Sequence, residues 1–500
     1  MKPPFRRALT IAGILILWLG ATAWLVFNEA YPDLLNRVSS GYQTFLSHGV
    51  MIMDRWMTIS YQGKAIGYSR SSVDVDQNDP SHQYHINNRT LLTITVMGKR
   101  QRIAVTTNAG VDPQYALQTF SFSLSSSGYT LFIEGHRKQG QEFDITIRGP
   151  GSTQHITATI PPDAVLYSPM TEMSLKALTP GRQVTLRIFN PITLTSQNVT
   201  VRALRNETIQ HRKQPTETLV LSALVDGMET LSWMDGNGTL IRQTTPFGWS
   251  MEDCDAREAL SLGTGGGSGG DDVLAALAVP IRGDTRVLAT GSSVRLRLNG
   301  VAFSRSQLET QRQVVTGLGT NSADITVRSE SLPLAGCSRE AIPADLSPWL
   351  ASTAFIQAKD PRLIKKAYEI TGHWTNSMDA ALAIYHWVNT NVSKVPNVSL
   401  PSALEVLLRP EGDCNEHTYL FVGLARAAGL PARIRVGVTL HEGRFYYHAW
   451  PSVYVGQWLD MDPTRGLPAV NAGYISLLEG ELAEQMKLMS VIGQLRVDIL

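Results

Sequence analysis

Across residues 55–260, apolar and polar side chains alternate in short runs, among them 89–96, 129–133, 143–147, 184–188 and 217–221. A side-chain period of two belongs to an extended strand, whose successive side chains point to opposite faces. Turn-forming clusters punctuate the runs: Asn78-Asp79-Pro80, Gly149-Pro150-Gly151, Thr179-Pro180-Gly181 and Asp235-Gly236-Asn237-Gly238. Strands joined by short turns pair antiparallel, so residues 55–260 are expected to form a β-rich antiparallel domain. The stretch has no cluster of titratable residues, so a scaffold or partner-binding role is expected there rather than chemistry.

The flanks differ in kind. Residues 8–27 are 20 residues without a charge. As a helix of about 30 Å they would span a bilayer's hydrocarbon core. Lys2, Arg6 and Arg7 precede them, and Glu29 and Asp33 follow. The excess of positive charge on the near side predicts a cytoplasmic segment 1–7 and a transmembrane signal anchor 8–27. It also puts the bulk of the chain in the periplasm, held to the plasma (inner) membrane by a single pass, and residues 28–54 read as a short helical stalk. A cleaved signal peptide ending at Ala21-Thr22-Ala23 is the alternative, but the apolar stretch is longer than the roughly 7–15 residues such peptides use.

Residues 261–272 hold the run GTGGGSGG and read as a flexible linker. Residues 273–344 carry a short helical run (273–279) and strand-like pieces (293–298 and 324–328), and read as a second small β unit. From residue 345 the period becomes helical over 362–370, 378–392 and 401–409, strands follow, and a further helix is expected over 476–489. The fold class expected for the whole is α+β, with the N-terminal membrane helix, the β-rich middle and an α+β C-terminal domain over 345–500.

Three cysteines, Cys254, Cys337 and Cys414, are too few for a disulfide scaffold. They permit one bridge, Cys254 to Cys337, with Cys414 left over. A net charge of +1 and no basic run with interleaved aromatics argue against a nucleic-acid partner.

Chemistry concentrates in residues 412–464. Asp413 suits an N-cap, and Glu416 three residues on completes a capping-box pattern. Gly429 suits the position after the helix end, and Pro431 stops continuation. Cys414 therefore opens a helix, where unsatisfied N–H groups and the positive dipole end favour thiolate. Its backbone N–H is a candidate oxyanion donor. Residues 432–440 and 444–455 read as adjacent strands, with His448 in the second and Asp462 just beyond it. A histidine can take the thiol proton while a carboxylate on its other nitrogen sets its orientation.

The runs GDCNEHTYLFVGLARAAGLPARIRVGV, YYHAWPSVYV and QWLDMDPT resemble the transglutaminase-like superfamily. The resemblance covers roughly residues 345–470. It implies a papain-like catalytic domain with Cys414 as nucleophile, His448 as general base and acid, and Asp462 as orienting residue. Asp460, on the same strand face by period two, is the runner-up for that last role. His417 is a candidate for tuning the thiolate, and Trp450 for walling the site. Residues 395–413 lack the tryptophan that cross-linking relatives place there, so no second oxyanion donor is assigned.

A zinc site from Cys414, His417, His441 and His448 is disfavoured, since no second tight ligand pair exists. No metal or organic cofactor is expected. The expected activity is thiol-dependent acyl transfer on a protein or peptide amide, by hydrolysis or transamidation. The alternative is a catalytically inactive, membrane-anchored binding or scaffold protein.

Overall fold

The computed structural model describes residue 42 and residues 53–500, apart from short internal stretches of which 167–177 and 263–277 are the longest. Among the described residues strands account for 51% and helices for 20%, so the fold is mostly β and the α+β expectation is corrected. The alternating runs all became strands and outweigh the helices near the C-terminus. The membrane segment expected over 8–27 lies outside the described residues. Among the described residues no helix is long and apolar enough to cross a membrane, so a membrane helix is not part of the observed fold.

The alternation of residues 55–260 produces one sheet of fifteen strands. Eight run as a meander from Met53–Tyr61 to Ser152–Thr159, each hydrogen-bonded to the next. Seven more run from Ala164–Leu166 to Trp249–Cys254, and the two series join where Met53–Tyr61 pairs antiparallel with Trp249–Cys254. The inward residues of both series share one core. Phe120 of the first series meets Phe189 of the second edge to face, with ring centroids 5.3 Å apart. Tyr42, within the expected stalk, is buried in that core, and its hydroxyl accepts the Leu166 N–H at 3.0 Å.

The C-terminal part centres on a four-stranded antiparallel sheet. Its order is Trp458–Asp460, Arg444–Tyr454, Ala432–His441, Tyr474–Glu479. The helix Cys414–Ala427 packs on it, with helices Pro361–Thr371, Ser377–Asn391 and Ala403–Leu408 around that helix. Residues 476–479, expected to open a helix, are instead in an edge strand, because pairing with Ala432–His441 outweighs their local preference. Helix there is confined to Leu482–Met486 and a following turn, Lys487–Ser490. A five-stranded sheet takes Ile281–Arg282, Ser293–Asn299, Gln313–Leu318 and Ser322–Arg328, and inserts Arg496–Ile499 from the end of the chain. Residues 279–327 and 355–497 therefore share one hydrophobic core. Cys254 and Cys337 are free thiols.

The large sheet meets the C-terminal part through the hairpin formed by Glu142–Gly149 and Ser152–Thr159. Gln154 donates to the Ala354 carbonyl at 2.9 Å, and Tyr129 donates to that of Leu400 at 2.8 Å. Glu405 meets the turn of that hairpin, at Gly149 and Ser152. A Cβ at Gly149 would lie 1.2 Å from its Oε1, so glycine is what admits the carboxyl. Ser152 donates to Oε1 at 3.4 Å, while Oε2 is buried with no hydrogen-bond partner among the described residues. Burial pushes the Glu405 carboxyl up to about 7, and the Ser152 hydroxyl offsets this only in part.

Glu405 should therefore make the contact pH-dependent. A raised folded-state pKa means its contribution is whole below the unfolded value of about 4.5 and is lost as pH rises through about 7. The span is worth up to about 3 kcal/mol. Glu405→Gln is expected to raise the Tm near pH 8 and to reduce the fall of Tm between pH 5 and 8. A Tm profile parallel to wild type would rule Glu405 out as the titrating group.

Candidate active site

The cysteine helix begins where the sequence places it. Asp413 is the N-cap and accepts the Asn415 N–H at 3.0 Å, while Glu416 Oε2 accepts the Asp413 N–H at 2.8 Å. Gly412, at φ +151°, makes room for this return: a Cβ there would lie 2.2 Å from Glu416 Cγ. One turn after Cys414, Thr418 donates to the Ala449 carbonyl at 3.1 Å. That bond ties the helix face carrying Cys414 to the histidine strand. The Ala449 N–H in turn faces the Cys414 sulfur.

His448 and Asp462 form a buried pair, with Nε2 to Oδ2 at 2.7 Å. An ionised carboxylate is acceptor-only, so Nε2 carries the proton and Nδ1 is left for other work. Two further donors converge on Asp462: the Arg465 N–H on Oδ1 at 3.0 Å and the Tyr474 hydroxyl on Oδ2 at 2.6 Å. Burial alone would push this carboxyl up. The His448 charge and hydrogen bond, with the Tyr474 hydroxyl and Arg465 N–H, outweigh it and hold Asp462 at about 2. Gly437 lies directly across from His448, and a Cβ there would come within 2.0 Å of the Ile475 carbonyl oxygen. Glycine at 437 thus lets the Tyr474 strand close on the site.

Asp460 goes elsewhere. It accepts the Trp450 indole N–H at 3.1 Å, and Trp450 is fully buried, near-parallel to the His448 ring at 6.3 Å. The strand ends at Asp460, and the antiparallel bridge between Asp462 and Leu467 turns the chain so that Asp462, not Asp460, meets the imidazole. His417 is fully buried and donates from Nδ1 to the Asp413 carbonyl at 2.7 Å. Burial depresses its pKa, with the Asp413 and Val392 carbonyls opposing. It packs the helix start and makes no hydrogen bond to Cys414 among the described residues. His441 stands at the hairpin end, opposite Arg444 and edge-on to Tyr446.

The Cys414 thiol departs from expectation. Burial, then Asp413, push it well above its usual range, with Glu416 and Asp462 adding to this and the Ala449 N–H opposing. A helix end contributes only about 0.3–1 kcal/mol, too little to overcome desolvation. Asp413 is itself pushed well up, by burial and by Glu416 beside it. Among the described residues no hydrogen bond joins Cys414 to the His448 ring. The two are brought to adjacent positions through Ala449.

Sequence reasoning missed Tyr474 and Arg465. Tyr474 lies in a stretch, 471–500, that carries no recognisable chemistry. Only its pairing with Thr439 brings it beside Asp462.

Residues 364–463 match the model of the transglutaminase-like superfamily. Solved structures with similarity include a candidate cysteine protease from Cytophaga hutchinsonii, 17% identical with a TM-score of 0.30, covering 41% of this chain and 86% of that one. A DUF1089 family protein from Pseudomonas aeruginosa is 12% identical with a TM-score of 0.21, covering 36% of this chain and 89% of that one. A candidate protease from Parabacteroides distasonis is 12% identical with a TM-score of 0.20, covering 71% and 68%. These likenesses carry no inference about activity. No curated protein matches the chain.

The Asp462 carboxylate should be visible in stability. Its depressed pKa makes its contribution whole above about pH 4 and lost as pH falls toward 2, on the order of 2 kcal/mol. Denaturant unfolding of Asp462→Asn is expected to show that deficit near pH 7 and a smaller one near pH 3. Equal deficits at both would mean the charge contributes nothing.

Proposed function

We propose, with a transglutaminase-like domain over residues 364–463 as the premise, that the protein carries out thiol-dependent acyl transfer on a protein or peptide amide. Cys414 is the nucleophile, His448 the general base and acid, and Asp462 the orienting residue. The observation that carries this reading is the buried His448–Asp462 pair at 2.7 Å, on a strand whose next residue, Ala449, touches the cysteine helix.

With Nε2 held by Asp462, His448 Nδ1 accepts the Cys414 proton as sulfur attacks the carbonyl carbon. Because burial raises the thiol, proton transfer accompanies attack and no standing thiolate is needed. The Cys414 backbone N–H supports the oxyanion. The imidazolium then gives its proton to the departing amine, leaving a thioester. Water resolves it to an acid, or a second amine to a new amide. Both outcomes share this first half-reaction. No step calls for a metal or organic cofactor. The fifteen-stranded sheet, which meets the segment around Leu400 beside the cysteine helix, is suited to presenting the substrate protein.

The second reading is a catalytically inactive binding or scaffold protein. The raised thiol and the lack of a direct Cys414–His448 hydrogen bond among the described residues favour it.

Mass-mapped iodoacetamide labelling near pH 7 separates the two. General-base assistance is worth about 10²–10⁴-fold, so His448→Ala is expected to slow Cys414 alkylation by roughly 10²-fold and to leave Cys254 and Cys337 unchanged. Cys414 rates that match between wild type and His448→Ala would leave the scaffold reading standing.

A further inference from the structure

Arg312 lies outside the transglutaminase-like segment, just before the strand Gln313–Leu318 of the five-stranded sheet. It is 4% exposed. Its guanidinium donates to three backbone carbonyls: Nε to Arg328 at 3.1 Å, Nη1 to Tyr474 at 2.6 Å and Nη2 to Asn471 at 2.5 Å. Glu330 stands 4.0 Å away, and Asp460 and Arg435 also act on it. Arginine stays protonated in proteins, and a buried charge is costly unless its donors are satisfied. An apolar residue of similar volume often stabilises a fold as well or better. The guanidinium therefore needs another reason, and its two shortest bonds fall on the turn that leads into Tyr474.

Gln313 works beside it. Tyr474–Glu479 is an edge strand of the four-stranded sheet. The Gln313 amide supplies what a neighbouring strand would, donating to the Ser476 carbonyl at 2.9 Å and accepting its N–H at 3.1 Å. Gln313 is fully buried, and it also donates to the Leu308 carbonyl at 2.7 Å. Ser329 accepts the Ala472 N–H at 3.0 Å. The five-stranded sheet thus holds residues 471–476 at successive points. From that held backbone the Tyr474 hydroxyl reaches Asp462 Oδ2, the same oxygen that meets His448 Nε2.

Resting on the reading of Cys414, His448 and Asp462 as the reacting set, we infer that Arg312, supported by Gln313, is a positioning residue. It fixes the backbone of Tyr474 so that the tyrosine hydroxyl aims the Asp462 carboxylate at His448. The small β unit ahead of the catalytic segment is then part of the catalytic apparatus, and the geometry at His448 depends on it.

The test uses the full chain labelled with ¹⁵N-histidine and does not use Cys414 reactivity. The His448 Nε2–H resonance is identified by its loss in His448→Gln. In the wild type it is expected as one tautomer, protected from solvent exchange. Arg312→Met is expected to speed its exchange at least tenfold or broaden it away, and Tyr474→Phe is expected to do the same, with the other histidine signals unmoved. Arg312→Lys, which keeps the charge but reaches fewer carbonyls, is expected to fall between. An Nε2–H as protected in Arg312→Met as in wild type overturns the inference. Should Arg312→Met fail to fold, Arg312→Lys and Gln313→Ala carry the same comparison, and wild-type protection in both overturns it. A Cys414 that never reacts would sink the acyl-transfer reading and leave this result decided either way.

Discussion

The hydrogen bond between His448 and Asp462 is the interaction around which the C-terminal structure is arranged. A carboxylate with no exposed surface is expensive, and it stays ionised only where several donors converge. Here they come from three separate places: the imidazole of the neighbouring strand, the Arg465 N–H three residues on, and the Tyr474 hydroxyl of an edge strand. Each requires its element in register. A one-residue slip of Tyr474–Glu479 would turn Tyr474 to the other face and remove its donor. Gly437, which allows the close approach of that strand, is a packing requirement with a chemical consequence.

The same sheet shows how differently two nearby carboxylates can be used. Asp460 and Asp462 are two residues apart and both buried. One serves an indole and the other an imidazole, because the chain leaves the strand between them. Cys414 illustrates the reverse. Its place at a capped helix start favours charge, yet burial among Asp413, Glu416 and Asp462 disfavours it more strongly. At this thiol desolvation opposes the helix dipole and is the larger of the two.

The large sheet and the small one are coupled to this centre by different means. The fifteen-stranded sheet reaches it through Glu405, a carboxyl admitted by Gly149 and left, among the described residues, with one oxygen that has no partner, so that contact is expected to respond to pH. The five-stranded sheet reaches it through a satisfied guanidinium and an amide that mimics a strand. It takes one strand from Arg496–Ile499, so the unit before the transglutaminase-like segment also needs residues that follow that segment.

Local periodicity carries most of what the sequence determines by itself. The alternating runs of residues 55–260 are strands, the capped run from Asp413 is a helix with Cys414 first, and His448 lies within a strand. Those features depend on neighbours within a few residues, so they are legible in the chain. The overall class is not legible locally, because no local pattern states how many strands join one sheet. Residues 476–479 look helical by local preference but are held as an edge strand by Ala432–His441. Only the tertiary structure decided that Asp462 rather than Asp460 meets His448, that Tyr474 completes the carboxylate's shell, and that Arg312 stands behind it. These contacts join residues 12 to 162 positions apart. They exist only once strands pair in register and charges lose water, and neither condition is written in any local stretch of sequence.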